Sequence, residues 1–311
     1  MARRAGPDII HRYKGNPLIS IDDLPFLCSD IWNTAVVRFQ GECLLLITVE
    51  TLEGRGSIFT ARGADLGEFA IDAEPFMTGS EHGPFAPYER FGIRDPRITE
   101  IDGTYYITYV ANSEHGHRIG LARTKDFRSV ERMDLVSEAD NKNGALFPRK
   151  INGRYAMLQR PYEGGSIWIT YSDDLTYWGA STVVMTPRGG FWDSTRIGAA
   201  GPPIEIDQGW LLIYYGEKGT SAGPLVRLGA AILDRHNPAR VIARSNIPIL
   251  SPRENYERIG DVGNVVFSCG ALLENDGHVK IYYGAANSCI CLGTGSLSDI
   301  TTVCRQSEQE F

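Results

Sequence analysis

The chain has 311 residues, 42% of them apolar and 22% charged, enough for a sizeable core and too apolar for a disordered chain. Lys plus Arg number 31 against 38 Asp plus Glu, a net charge of −7, which excludes general affinity for nucleic acid but leaves room for a local basic pocket. The longest apolar run, residues 43–49, is interrupted by Thr48 and falls far short of the roughly 20 residues of a membrane-spanning helix. The leading segment MARRAGPDII has arginines with no apolar stretch behind them, so no signal peptide, no membrane and a cytoplasmic location are expected.

Helical periodicity is nearly absent, and short apolar segments are punctuated by 34 glycines and by Asp, Asn and Pro, as in an all-β chain. One phrase recurs along the chain: a turn glycine, then a strand rich in Tyr, Leu and Ile. It reads GECLLLITVE from Gly41, GTYYITYVAN from Gly103, GRYAMLQRP from Gly153, GWLLIYYGE from Gly209 and GHVKIYYGAA from Gly277. A second strand follows each copy, ending at a turn that contains an Asp such as Asp65 in the first. Five strand pairs spaced 50 to 68 residues apart have the size of four-stranded blades around a channel. The repeat predicts a five-bladed β-propeller, with residues 1–311 as a single catalytic domain. A ligand is then expected in the axial funnel, and AMLQRP is expected as the inner strand of blade three.

Residues that break the pattern near strand ends are the candidate chemistry. Asp95 sits in FGIRDPRIT, where Pro96 favours an extended conformation before it and is expected to display the carboxylate at the mouth of the strand. Lys142 in NKNGALFPRK, Arg160 at the end of AMLQRP and Arg196 in STRIGAAGPP occupy similar places in successive blades. Converging on the funnel, three cations would suit a phosphate or carboxylate. The six cysteines include no CxxC pair, and Cys289 and Cys291, two apart, share a strand face without nearby histidines. Reduced buried thiols and no metal are expected. Trp32, Trp168, Trp192 and Trp210 suit inter-blade packing, with stacking on a sugar ring as the alternative.

Taken in order, WNTAVV at Trp32, GIRDPRIT around Asp95, LFPRKINGRYAMLQRP at Leu146, RIGAAGPP at Arg196, GWLLIYYG at Gly209 and GDVGNVVFSCGA at Gly260 resemble glycoside hydrolase family 130, the β-mannoside phosphorylases and related β-mannosidases. The resemblance runs from His11 to Gly293 and implies the same five-bladed fold. It also implies Asp95 as the general acid, Lys142, Arg160, Arg196 and Tyr215 around phosphate, and Asn33, Thr34, Arg55, Asp261 and Asn287 as sugar contacts. Six positions depart from the common pattern: Lys142 stands where Arg is frequent and Arg196 where Lys is, both keeping the charge, while Tyr215 and Gln159 stand where His is usual, Arg94 where Glu is usual, and Asn287 where Asp is usual.

The implied reaction needs one carboxylic acid where hydrolysis needs two carboxyl groups, because inorganic phosphate, the co-substrate, attacks the anomeric carbon. The resemblance implies α-mannose 1-phosphate formed with inversion from β-mannosides or mannooligosaccharides, a proton relayed through a sugar hydroxyl, and no cofactor. Three readings stay open beside it: an inverting β-mannosidase of the same family, a fructan-cleaving furanosidase propeller, and a sugar-binding propeller without turnover. The furanosidases share the Arg-Asp-Pro sequence but need an early Asn-Asp-Pro that is lacking here. Linkage, acceptor and assembly into a homo-oligomer are not read from the sequence.

Overall fold

The computed structural model describes residues 8–64 and 66–306; Asp65 and the MARRAGP segment, on which two expectations rest, lie outside them. The strands form five antiparallel sheets, which are the five blades. Blade one holds Asp30–Phe39, Glu42–Glu50, Gly56–Gly63 and Phe69–Ile71, and blade two holds Ile93–Ile101, Thr104–Ser113, Gly116–Thr124 and Glu131–Leu135. Blade three holds Asn141–Leu146, Tyr155–Pro161, Ile167–Ser172 and Gly179–Met185. Blade four holds Arg196–Ala199 with Ile204–Ile206, then Gly209–Thr220, Gly223–Leu233 and Val241–Arg244. Blade five holds Val266–Leu273, His278–Ala285 and Cys289–Ser296.

The repeated glycine-led phrase is the second strand of every blade, not the innermost. Asn141–Leu146, not AMLQRP, is the inner strand of blade three, since it edges the sheet and leads into Tyr155–Pro161. The reason is composition: the second and third strands are buried on both faces and read as apolar runs. The inner strands, which line the axis, are mixed in polarity.

Apolar side chains alternate along each strand and pack into five clusters, one between each pair of adjacent blades. In blade one, Leu44 and Leu46 face blade two, whereas Cys43, Leu45 and Ile47 face blade five. Trp210 lies edge-on to Phe147 and Trp192 stacks on Tyr214, both between blades three and four. A helix that the sequence reading did not foresee, Leu297–Gln306, buries Ile300 and Cys304 against the blade four–five core. Cys289 and Cys291 share a face with their sulfurs 3.9 Å apart. No helix among the described residues is long and apolar enough to cross a membrane.

Ring closure uses the start of the chain. His11–Arg12 and Ile19–Ser20 pair with Cys289–Ser296 and so complete blade five. Arg12 locks this junction: its guanidinium donates to both oxygens of Glu257 at 2.8 Å, to Asp8 at 2.7 Å and to the Ser251 carbonyl at 2.6 Å. Glu257 is fully buried and also accepts from the Tyr283 hydroxyl at 2.9 Å. Removing one partner of a buried pair strands the other charge, at a cost of about 3–5 kcal/mol. Arg12→Met is therefore expected to lower the unfolding free energy by about that amount in a denaturant titration. A midpoint equal to the parent's would remove the latch role.

Candidate active site

In an antiparallel blade the start of the inner strand, the end of the second and the start of the third lie at one end. That end is the mouth, and it carries Asn33, Arg94, Asp95, Lys142, Arg160, Arg196 and the turns with Arg55 and Asn287. Four inner strands break register there, leaving out Asn33, the Asp95–Pro96 pair, the Asn143–Gly144 pair and Cys269. Bulges re-aim side chains out of the ladder, and these re-aim the site residues toward the axis.

Asp95 departs from the expected extended conformation. Its φ is +55°, in the left-handed region, because it occupies the bulge and not a regular strand position. Asp tolerates this region better than most residues, and Pro96 fits a bulge because it has no ladder N–H to offer. Three contacts hold it. Its amide donates to Thr48 Oγ1 at 3.1 Å, its Oδ1 accepts from Asn33 Nδ2 at 2.7 Å, and its carbonyl accepts from Arg97 Nη1 at 3.0 Å. Oδ2 has no protein partner among the described residues.

Arg97 is 1% exposed and reaches across the axis, donating from Nε to the Ala200 carbonyl at 2.9 Å and from Nη2 to that of Ala199 at 3.2 Å. Its described partners are all backbone oxygens, so the positive charge is oriented without a carboxylate.

Lys142 and Arg160 are cross-strand neighbours. Arg160 is 2% exposed, and its Nε is anchored on Asn143 Oδ1 at 3.0 Å. The same oxygen accepts from the Tyr215 hydroxyl at 3.0 Å. Asn143, at φ +61°, is thus the joint between the two. Gly198 makes room for it, since a Cβ there would come within 2.5 Å of the Tyr215 ring and 2.7 Å of Asn143 Oδ1. Burial and the charges of Arg94, Arg160 and Arg196, partly offset by Asp95, push the Lys142 ammonium down to about 8. A dianion bound among these groups would stabilise the ammonium. Beside them, burial and the charges of Lys142 and Arg94, opposed by Asp140 and Asp95, lower His117 to about 4, so its imidazole is neutral at pH 7.

The remaining expected residues are placed differently. Arg196 is engaged bidentately by Glu217, at 2.7 and 3.0 Å, which leaves Nη1 without a partner among the described residues. The Tyr215 hydroxyl gives its proton to Asn143 and its ring packs on Phe267, so it supports Arg160 and does not itself project into the pocket. Burial raises its phenol. Thr34 is fully buried and its hydroxyl faces the carbonyls of Ala35 and Leu46, so it belongs to the blade wall. Arg55 is exposed on the rim of a cleft that Glu89 and Arg90 also line. Asp261 is exposed, with its amide on Ser288 Oγ at 3.1 Å, and Asn287 occupies the adjoining turn at φ +53°.

Sequence reasoning missed Arg97, Asn143, His117, Glu217 and Thr48. The first two had a signal. Arg97 is a cation inside the apolar run PRIT, and Asn143 precedes a glycine where a left-handed turn is natural. The contacts of the others join residues 21 or more positions apart in sequence, across a blade or between blades, and have no local trace.

The family description of β-1,4-mannooligosaccharide phosphorylase matches residues 68–306. The chain is 41% identical over 212 residues, 67% of its length and 70% of the relative, to a 1,2-β-oligomannan phosphorylase of Thermoanaerobacter sp. (strain X514). It is 33% identical over 309 residues, 94% of its length and 90% of the relative, to a β-1,4-mannooligosaccharide phosphorylase of Ruminococcus albus. A solved β-1,2-mannobiose phosphorylase from Listeria innocua superposes with a TM-score of 0.86 at 31% identity, covering 96% of this chain and 99% of that one. The chain belongs to glycoside hydrolase family 130. It is an enzyme of that family, and the relatives named here are glycoside phosphorylases.

The depressed Lys142 gives a signed pH dependence. The ammonium is present below about 8 and lost above it, so anion affinity should weaken as pH rises through that value. The apparent Kd for phosphate, measured by calorimetry, is expected to rise by up to about tenfold per pH unit there, the limit for one linked proton. Lys142→Met should flatten the rise; an unchanged profile in that variant would assign the proton to another group.

Proposed function

We propose that the protein is an inverting β-mannoside phosphorylase, acting as one catalytic unit over residues 1–311. The observation that carries this reading is the pair Lys142 and Arg160. They are adjacent, largely buried and without a carboxylate partner among the described residues, in the same mouth as Asp95. These two cations, with Arg160 held in place by Asn143, form a site for a compact anion that needs little reorganisation when it arrives.

In the proposed reaction a mannoside lies with its anomeric carbon between the phosphate and Asp95. A phosphate oxygen forms the new bond to the anomeric carbon from the face opposite the glycosidic oxygen. The bond to that oxygen breaks, and the leaving oxygen takes the proton of Asp95, directly or through a sugar hydroxyl. The products are α-mannose 1-phosphate and the shortened saccharide, with the carboxylate left ionised. Phosphate is the co-substrate, and the chemistry requires no further cofactor. Asn33 would orient the Asp95 carboxyl, while Arg55, Asp261 and Asn287 would meet the sugar from the rim. Arg196 would add its free Nη1. The relatives above act on 1,2- and 1,4-linked mannosides by name, so both linkages belong in the first panel, with β-1,2-mannobiose leading because the 41% identical relative is a 1,2-β-oligomannan phosphorylase.

Product analysis with and without phosphate tests the reading. Mannose 1-phosphate is expected only when phosphate is supplied. Free mannose at equal rates in both tubes would instead assign the β-mannosidase activity. Asp95→Asn should lower kcat by at least about a hundredfold with the thermal midpoint preserved, the usual scale for removing a general acid. Full activity would remove Asp95 from the acid role. Arg160→Ala should raise the KM for phosphate by at least about tenfold, equivalent to losing one charged contact. Unchanged phosphate dependence would place the anion elsewhere.

A further inference from the structure

The five inter-blade clusters are unequal. Among the described residues, that between blades two and three has six buried apolar side chains, against twelve or more in each of the others. Its outer part stays open as a groove of about 570 Å³, running down the flank of blade three from the mouth. A groove of that size accommodates a small organic ligand.

Three aromatic residues line it: Trp168, Trp178 and Tyr177, the last 80% exposed. The Trp178 indole N–H is taken by the Leu175 carbonyl at 3.1 Å, whereas Trp168 Nε1 has no partner among the described residues. The inner end of the groove is polar and incompletely satisfied. Asn141, 5% exposed, donates to Gln159 at 2.9 Å, yet its buried Oδ1 has no partner; nor has the buried Nε of Arg118. One acceptor and one donor, on residues that line the inner end of this aromatic channel, therefore lie unpaired just beneath its surface. Leaving buried polar atoms unpaired costs roughly 1–3 kcal/mol each, so a ligand that pairs both is favoured. Sugars combine this chemistry, with C–H faces that stack on aromatic rings and hydroxyls that both donate and accept. Glu138 on the rim disfavours an anionic ligand.

We propose that this groove is a second saccharide-binding site, which holds a neutral mannooligosaccharide segment away from the reacting bond. The choice of mannose rests on the proposed function; the groove chemistry does not. Asn141 precedes Lys142 in the inner strand, and Gln159 precedes Arg160 in its neighbour. Successive side chains on a strand point to opposite faces. Blade three therefore offers one face to the anion pocket and the other to the groove.

The test is calorimetric titration of Asp95→Asn protein with β-1,2-mannotetraose in the absence of phosphate, alone and combined with Tyr177→Ala or Trp168→Ala. Tyr177 is exposed, so its substitution leaves the fold intact. About two equivalents are expected for Asp95→Asn alone, with one lost or weakened at least about tenfold on adding either groove substitution. In the otherwise unchanged enzyme, the same groove substitutions should leave kcat/KM for the disaccharide within about twofold. A stoichiometry of one in all proteins would overturn the proposal, as would a parallel fall in disaccharide turnover. The two readings fail separately. Loss of an equivalent on Tyr177→Ala in a protein that never releases mannose 1-phosphate would sink the phosphorylase and keep the groove.

Discussion

The site depends on one buried guanidinium. Arg97 ties the carbonyl of Asp95 in blade two to those of Ala199 and Ala200 in blade four, spanning the propeller axis. A left-handed aspartate costs on the order of 1 kcal/mol or more and persists only where its surroundings over-determine it. Thr48 supplies that constraint from blade one, and Arg97 supplies it by tying Asp95 to the carbonyls of blade four. Hydrogen bonds to a charged donor contribute roughly 1.5–3 kcal/mol each, enough to outweigh the backbone strain. The same residue leaves a fixed positive charge beneath the pocket, opposed by carbonyl dipoles and not by a carboxylate. An acidic protein thereby keeps a cationic interior at its axis.

Inner-strand bulges are the second shared device. Asn33, Asp95, Asn143 and Cys269 each stand where the ladder loses register. A regular strand would point alternate side chains into the two neighbouring blade interfaces and none along the axis. The bulge turns one residue per strand toward the funnel without disturbing the cores on either side. Support is shared as well: Asn143 fixes both Arg160 and Tyr215, and Asn33 fixes Asp95. A dianion bound there would meet a scaffold that is already built, and Lys142 is the group whose proton would respond.

Much of this was legible in residues. Five glycine-led strands count the blades because each blade needs a doubly buried second strand, and such a strand is an apolar run wherever it occurs. Asp95, Lys142, Arg160 and Arg196 stood out because charged residues at strand ends break that pattern, and they do meet at the mouth. Two of the expected residues are placed differently by packing. Thr34 lies beside Asn33 but is turned into the sheet, since the bulge reorients only one of them. Tyr215 points to Asn143 because its strand faces blade three there.

The sequence by itself determined the propeller and its blade number, and singled out Asp95 and the pair Lys142 and Arg160 as candidates, since strand period, turn glycines and misplaced charges are local properties. Tertiary structure alone decided which strand lines the axis, how the first residues close blade five, that Glu217 claims Arg196, and that Thr48 of blade one and the blade-four carbonyls that anchor Arg97 hold Asp95 in place. These are contacts between strands or blades tens to hundreds of residues apart in the chain. They follow from the order in which sheets close around the axis, a distance-dependent property that no local pattern of residues encodes.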